Sequence, residues 1–468
     1  MICEWGGYLK SHITLGEGIG KNMKRIEKTA ALGNELFLPG GNPTWRRAFP
    51  LAMQHVVSMI VGCVTPAIIV ANIALEQGEI TASDVTMLVQ AALLISGIAT
   101  MLQIFSWKHR IGSGLPVIMG VSFAYLASLE AIAMEFNLAT LFGAQLAGGV
   151  IAIIVGVFIG KIRFLFPPLV SGTVVFVIGL SLYPTAVNYM AGGAGSADFG
   201  SWKNWLVALV VLIIVTVLNH YGMGIWKLSS ILIGMAAGYL LAAVLGMVSL
   251  DAVHTAPWVQ MIEPLHFGLR FEISPIITMA ILYVVNSVQA IGDLTATAVG
   301  GLNREPEEKE LSGGIIGNGL GSILGAVIGG LPTATFSQNV GIVTTTKVVA
   351  RKIFAITAGI IMIAGIIPKF ASLLTTIPAC VLGGATISVF ASIAMTGMKL
   401  IAREQLNFRN TSIVGLSVAL GMGVTLVPEA LARFPSWVTM IFGKSPVVLA
   451  TLSAVLLYQV LPYTDEDS

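Results

Sequence analysis

The sequence predicts an all-α polytopic membrane protein with fourteen spanning segments, arranged as two inverted halves of seven. Three observations predict it: a composition too poor in charge for a water-facing surface, a one-sided distribution of Lys and Arg, and motifs that recur once in each half. The chain has 468 residues, 56% hydrophobic and only 10% charged, with a mean hydropathy of +0.88. Soluble proteins carry about 25% charged residues, so lipid is the solvent this composition fits. A formal net charge of +2 offers no basic surface to a nucleic acid. Cys3, Cys63 and Cys380 are scattered without metal-ligand or disulfide spacing. They read as inert packing residues, and no metal or cofactor site is expected.

A helix needs about 20 apolar residues to cross the hydrocarbon core. Segments of this kind lie near 50–76, 85–106, 113–129, 142–160, 165–184, 204–219, 229–248, 275–299, 312–329, 332–346, 352–371, 377–396, 411–427 and 445–462. The third and tenth are short and rich in Gly, Pro and Ser. With both termini cytoplasmic, 20 of the 25 Lys and Arg residues fall on the inner side. The five outside are Lys203, Arg270, Lys369, Arg433 and Lys444. A miscounted helix would reverse every later loop and scramble this bias, so the positive-inside rule supports the count. Residues 1–48, with Lys10, Lys21, Lys24, Arg25, Lys28, Arg46 and Arg47, form a cytoplasmic arm without a signal-type apolar run. A multi-pass protein of the plasma (inner) membrane is expected.

The repeats set the architecture. Gly114-Leu115-Pro116 opens the third segment and Gly330-Leu331-Pro332 opens the tenth. Pro167-Pro168-Leu169-Val170-Ser171-Gly172 opens the fifth and Pro378-Ala379-Cys380-Val381-Leu382-Gly383 the twelfth, at nearly the same separation. Partners stand seven segments apart, and an odd offset inverts the orientation. Inverted halves with an interrupted segment at matching positions mark a secondary transporter. The interruption frees backbone N–H and C=O groups that hydrocarbon cannot satisfy, so they face protein, water or a solute. A polar site where the two breaks meet is the expectation.

Polar residues inside the spans sharpen it, because they are costly there. In the eighth segment Asn286, Gln289, Asp293, Thr295 and Thr297 interrupt an apolar run. Gln289 and Asp293 share one helix face, and Asp293 is the only carboxylate assigned to a span. It serves either as a structural cap or in a substrate or proton pathway. Asn318 lies between Gly317 and Gly319, a pattern that equally suits close helix packing. His55, after Gln54 in the first segment, is either a hydrogen-bonded structural group or a proton carrier. The tenth segment runs Thr333-Ala334-Thr335-Phe336-Ser337-Gln338-Asn339-Val340-Gly341-Ile342-Val343-Thr344-Thr345-Thr346-Lys347. The amides of Gln338 and Asn339 suit the edge of a flat heterocycle. Gly341 leaves room, and Phe336, Phe123 and Tyr125 are candidates to stack on a ring.

The tenth segment resembles the signature of the nucleobase–ascorbate transporter family. Gln338, Asn339, Gly341, Thr346 and Lys347 fill its fixed positions. Gln54-His55, Gly112-Ser113-Gly114-Leu115 and Ala290-Ile291-Gly292-Asp293 extend the resemblance over about 48–462. The resemblance implies a core domain from 49–161 and 271–374 and a gate domain from 162–270 and 375–468. It also implies a short strand in segments three and ten, elevator-like movement, and a homodimer in membrane lipid. Gln338 implies a purine substrate such as xanthine or urate. The chain departs from the family where Gln289 and Asn318 stand in place of carboxylates and where Ala124 replaces a polar residue. A carboxamide does not titrate, so proton symport through Asp293 with His55, uniport, and coupling to another ion all remain open. Asn318, Thr346 and Lys347 are assigned supporting roles. Rival readings are an anion carrier of the same fold, a carrier of a uracil-like heterocycle, and a transporter-derived sensor. An enzyme would need a midplane cluster of titratable groups, and a channel would need charged rings. The sequence has neither.

Overall fold

The computed structural model describes residues 35–462, apart from 108–109, 194 and 436–437. Most of the expected amino-terminal arm, with Cys3, therefore lies outside the described residues, as does the tail at 463–468.

The chain is helical almost throughout. Helices α1 (Trp45–Glu76) and α2 (Ala82–Ile104) form a hairpin. At its turn, the Thr81 N–H donates to Asp84 Oδ2 at 2.9 Å and caps α2. The first break follows as strand β1 (Met119–Val121), a 3-10 turn (Phe123–Tyr125) and the half-length helix α3 (Leu126–Glu135). Helices α4 (Leu138–Val157), α5 (Pro168–Ser181), α6 (Tyr183–Met190), α7 (Trp202–Tyr221) and α8 (Ser230–Val244) complete the first half. The second half opens with α9 (Ile273–Leu302) and α10 (Glu308–Ile328). Strand β2 (Thr333–Thr335) and the ten-residue α11 (Ser337–Thr346) make the second break. Then come α12 (Arg351–Ile366), α13 (Pro368–Thr375), α14 (Ala379–Ile401), α15 (Phe408–Leu426) and α16 (Pro446–Val460).

Among the described residues, eight helical spans are long and apolar enough to cross a membrane, or nine if α12 and α13, bent by 82° at Pro368, count as one. The chain is thus an all-α polytopic membrane protein. The remaining apolar segments of the sequence take shorter forms. Helices α8 and α16 have 15 residues each, segments three and ten divide into strand and half-helix, and the first turn of α15 carries the polar Arg409 and Asn410.

The two strands pair antiparallel, with Met119 opposite Thr335, Gly120 opposite Ala334 and Val121 opposite Thr333. Ser122 N–H donates to Pro332 O and Phe336 N–H to Ile118 O, both at 3.0 Å, extending the ladder past each end. Each break so satisfies the other's freed backbone groups, which nothing in hydrocarbon would do.

Helices pack in two sets. In one, α10 lies on α2 and α4, α12 on α1 and α2, and α9 on α4 and α11. In the other, α14 lies on α5, α6, α7 and α8, while α16 packs on α5 and α15. Small residues let the second set meet backbone to backbone. A Cβ on Gly397 would sit 2.2 Å from Phe176 N, and one on Gly179 2.3 Å from Ala394 N. Gly397→Val is expected to destabilise the fold by at least the ~1–3 kcal/mol typical of overpacking, because the obstructing atoms are backbone. Thermal unfolding in detergent checks this, and an unshifted midpoint would contradict the close crossing.

The described end of the arm is bound to the bundle. Leu36 O accepts from Val349 N (2.9 Å) and Ala350 N (3.2 Å), and Pro39 O accepts from Arg351 N (3.2 Å). Lys352 Nζ donates to Asn42 Oδ1 at 2.6 Å. The arm therefore supplies acceptors to the start of α12, which lacks a side-chain cap.

Candidate substrate site at the paired breaks

Asp293 lies in the carboxy-terminal half of α9, facing the second break. Its Oδ2 accepts from Thr335 Oγ1 at 2.5 Å, and both carboxylate oxygens accept from Ser337 Oγ, at 2.9 and 3.0 Å. One side chain thus ties the end of β2 and the first residue of α11 to α9. The amino-terminal end of α11 also favours a negative charge there. One turn earlier, Gln289 is half-buried. Between them on the chain, a Cβ on Gly292 would meet nothing within 4 Å, and the same holds for Gly341 in α11. Ser337, Gln338 and Gly341 are exposed. A lipid-facing surface does not carry hydroxyls, amides and a carboxylate together, so this face borders a polar crevice.

The two amides of the signature point different ways. Gln338 is exposed, whereas Asn339 is buried. Asn339 Nδ2 lies 3.0 Å from His55 Nδ1 and 3.2 Å from His55 O. With Nδ2 as the donor, the ring accepts at Nδ1 and its proton sits on Nε2. The His55 ring packs on Phe354, centroids 4.8 Å apart. Asn339 Oδ1 has no hydrogen-bond partner among the described residues. Asn339→Ala leaves His55 without its donor and is expected to cost about 1–3 kcal/mol, and to abolish substrate binding because α11 loses its tie to α1. Unchanged affinity of the purified variant would show that α11 does not line the site.

The other expected site residues are dispersed around this centre. Phe123 meets Phe390 of α14 edge-on, centroids 5.2 Å apart, and Ala124 beside it is half-buried. Phe336 covers Gly120 and Gly62, where a Cβ would lie 2.4 and 2.7 Å from its ring. Glycine at both positions is what admits the ring against β1 and α1. Tyr125 is fully buried, its ring 4.8 Å from that of Tyr283. Asn318 Oδ1 accepts from Thr333 Oγ1 at 3.2 Å and so holds β2 against α10. Thr346 and Lys347 sit at the far end of α11, roughly 13 Å along the helix from Gln338. Lys347 adopts φ 60° and closes α11 through its N–H to Val343 O at 2.8 Å. Its ammonium donates to Gly300 O near the end of α9.

Nothing local marks Thr335 and Ser337 as the partners of Asp293, since their contact spans more than forty residues. Helix α3 continues to Glu135 and so carries Glu130, a second carboxylate beside the first break. The third segment spends its first residues on extended chain and β1, so it runs longer than an apolar count up to 129 suggests. The apolar spacing Leu126, Leu129, Ile132, Ala133 was the available signal.

Residues 46–430 match a family model described as Permease family. The chain is 38% identical over 420 residues to the xanthine permease of Bacillus subtilis, covering 88% of this chain and 93% of that one. The chain belongs to the xanthine/uric acid permease family. Uric acid permease PucJ of Bacillus subtilis is 36% identical over 420 residues (88% and 92% covered). Xanthine permease XanP of Escherichia coli is 32% identical over 429 residues (88% and 91% covered). Family membership bears out the resemblance carried by Gln338–Lys347 and makes the protein a transporter rather than an enzyme. Among solved structures, the transmembrane domain of the cyanobacterial bicarbonate transporter BicA superposes with a TM-score of 0.57 at 16% identity, covering 87% of this chain and 97% of that domain. The structure of SLC26A9 gives 0.53 at 12% identity, covering 94% and 70%. At such identities the likeness is one of fold. A permease of this family thus shares its backbone plan with anion transporters while keeping its own signature in α11.

Proposed function

We propose that this permease is a secondary active importer of a purine nucleobase, xanthine or urate in class, coupled to a proton. The observation that carries the reading is the relationship itself: proteins named for xanthine or uric acid align over nearly the whole chain at 32 to 38% identity. The geometry agrees with a flat, hydrogen-bonding solute. Gln338 and Gln289 offer amides beside the crevice, and Gly292 and Gly341 leave space. Phe123, Ala124, Tyr125 and Phe336 build the wall behind them. Asp293 carries the proton, with His55 behind it through Asn339. Asn318, Thr346 and Lys347 fix the breaks in place.

The full architecture belongs to the same proposal. Fourteen segments form two inverted repeats of seven, with a core from 49–161 and 271–374 and a gate from 162–270 and 375–468. The core slides against the gate as an elevator. Two copies associate in the plasma membrane with both termini in the cytoplasm. The preference of the two helix sets for packing within themselves supports this division.

Uptake of radiolabelled xanthine by expressing cells, with and without a protonophore and competed by urate, guanine, uracil and ascorbate, tests the reading. Concentrative, protonophore-sensitive uptake is expected. Uptake that only equilibrates would favour a uniporter, a second reading motivated by Gln289 and Asn318, whose amides do not titrate. No xanthine uptake at all would overturn the purine assignment.

A further inference from the structure

Glu130 is a carboxylate that neither the signature nor the breaks account for. It lies midway along α3, the half-helix that follows β1 and the 3-10 turn. Its Oε2 accepts from Thr185 Oγ1 of α6 at 2.9 Å. The Tyr189 hydroxyl of α6 interacts with Glu130, with Asn72 of α1 and with Glu76. Among the described residues no Lys, Arg or His is bonded or ion-paired to Glu130, so no countercharge holds it ionised. The helices around it offer no substitute. Helix α4 has no titratable side chain, and on α9 Tyr283 is engaged with Tyr125 and Asp293 with Thr335 and Ser337. Tyr183 opens α6, and at the far end of α3 Glu135 lies 3.8 Å from Lys444.

The same half-helix makes further polar links to the second set of helices. Ser128 Oγ and Ser445 Oγ, both buried, lie 2.9 Å apart just before α16. With Glu130–Thr185 and Glu135–Lys444, α3 is fastened on its outer side to both α6 and the start of α16. An ionisable group within a span is a functional site by default. Here it sits on the joint between the two helix sets.

We propose that Glu130 is a second protonation site of this permease, facing the outer side, and that its charge state sets how firmly α3 closes on α6. A charged Glu130 accepts the Thr185 hydroxyl strongly, because hydrogen bonds to ionised acceptors are about twice as strong as neutral ones. A neutral carboxyl relaxes the contact and frees α3 to part from α6. External protons would thereby govern the rate of outward opening, while Asp293 sets the coupling. This inference rests on the proton-coupled reading for its transport consequence, but not for proton binding itself.

The test therefore has two arms. In the first, purified protein in lipid is stepped from alkaline to acidic buffer and the carboxylic C=O stretch is followed by infrared difference spectroscopy. Glu130→Gln is expected to lose one titrating acid band that Glu135→Gln retains. An unchanged band in Glu130→Gln would overturn the proposal, whatever the protein transports. In the second, the initial rate of xanthine uptake is measured against external pH. Glu130→Gln is expected to flatten the profile while accumulation persists, and a wild-type profile in that variant would also overturn it. Should Glu130→Gln fail to fold, Thr185→Val keeps the carboxyl and removes its donor. A shifted midpoint of the same band supports the site, and an unshifted one refutes it.

Discussion

Asparagine in place of Asp293 is expected to abolish accumulation while leaving a folded, substrate-binding protein. The substitution keeps an acceptor oxygen for Thr335, and the new amide can donate to Ser337, so the tie between α9, β2 and α11 survives in weakened form. A hydrogen bond to a charged acceptor contributes about 1.5–3 kcal/mol and a neutral one about 1. The loss in stability should stay near 1–2 kcal/mol. The transport consequence is larger. A proton moving through about 100 mV supplies about 2.3 kcal/mol, enough for roughly 50-fold accumulation of a neutral solute. An amide carries no proton, so Asp293→Asn should fall from that ratio to simple equilibration. Counterflow of preloaded xanthine should persist, because exchange needs no net proton movement. Undiminished accumulation would take the coupling role away from Asp293 and leave Glu130 and His55 as the groups to examine.

The centre around Asp293 shows what a sequence can and cannot disclose. Gly114-Leu115-Pro116 and Gly330-Leu331-Pro332 announced two interrupted segments at matching positions. Strands β1 and β2 follow shortly after them, paired with each other. That the breaks meet was legible, because backbone groups freed in hydrocarbon must face protein, water or a solute; that they meet as a strand pair was not. The side-chain partners were not. His55 and Asn339 are 284 residues apart, and no local pattern ties one to the other. Adjacent residues in a helix also point about 100° apart, so reading Gln338 and Asn339 as a matched pair of amides overlooked that one faces the crevice and the other α1. Segment length failed for a related reason. The rule of about 20 residues per crossing assumes helix from end to end. A segment that spends residues on strand and turn overruns it, so the helix that carries Glu130 runs past the apolar stretch ending at 129. The 82° bend at Pro368, by contrast, follows from a proline that cannot continue the ladder of α12.

Gln338→Glu should produce the sharpest change in what the carrier accepts. The Gln338 side chain makes no hydrogen bond among the described residues and is exposed beside Gly341, so its replacement disturbs little of the fold. An acidic residue in the first turn of α11 is favourable to the helix itself. The chemistry toward a bound base is altered completely. The amide presents one donor and one acceptor side by side, whereas an ionised carboxylate presents acceptors only. A purine edge that received the amide's N–H would then face a lone pair, and an acceptor left opposed in this way costs about 1–3 kcal/mol. The expected result is a rise of about 10- to 100-fold in KM for xanthine with kcat little changed, because the interaction lost is one made equally in the bound and moving states. Urate, which carries negative charge at neutral pH, should be excluded more strongly than xanthine. Initial rates over a range of xanthine concentrations, competed in turn by urate and uracil, measure both effects. A KM within twofold of the parent would mean that Gln338 does not touch the base, and the recognising amide would then have to be Gln289.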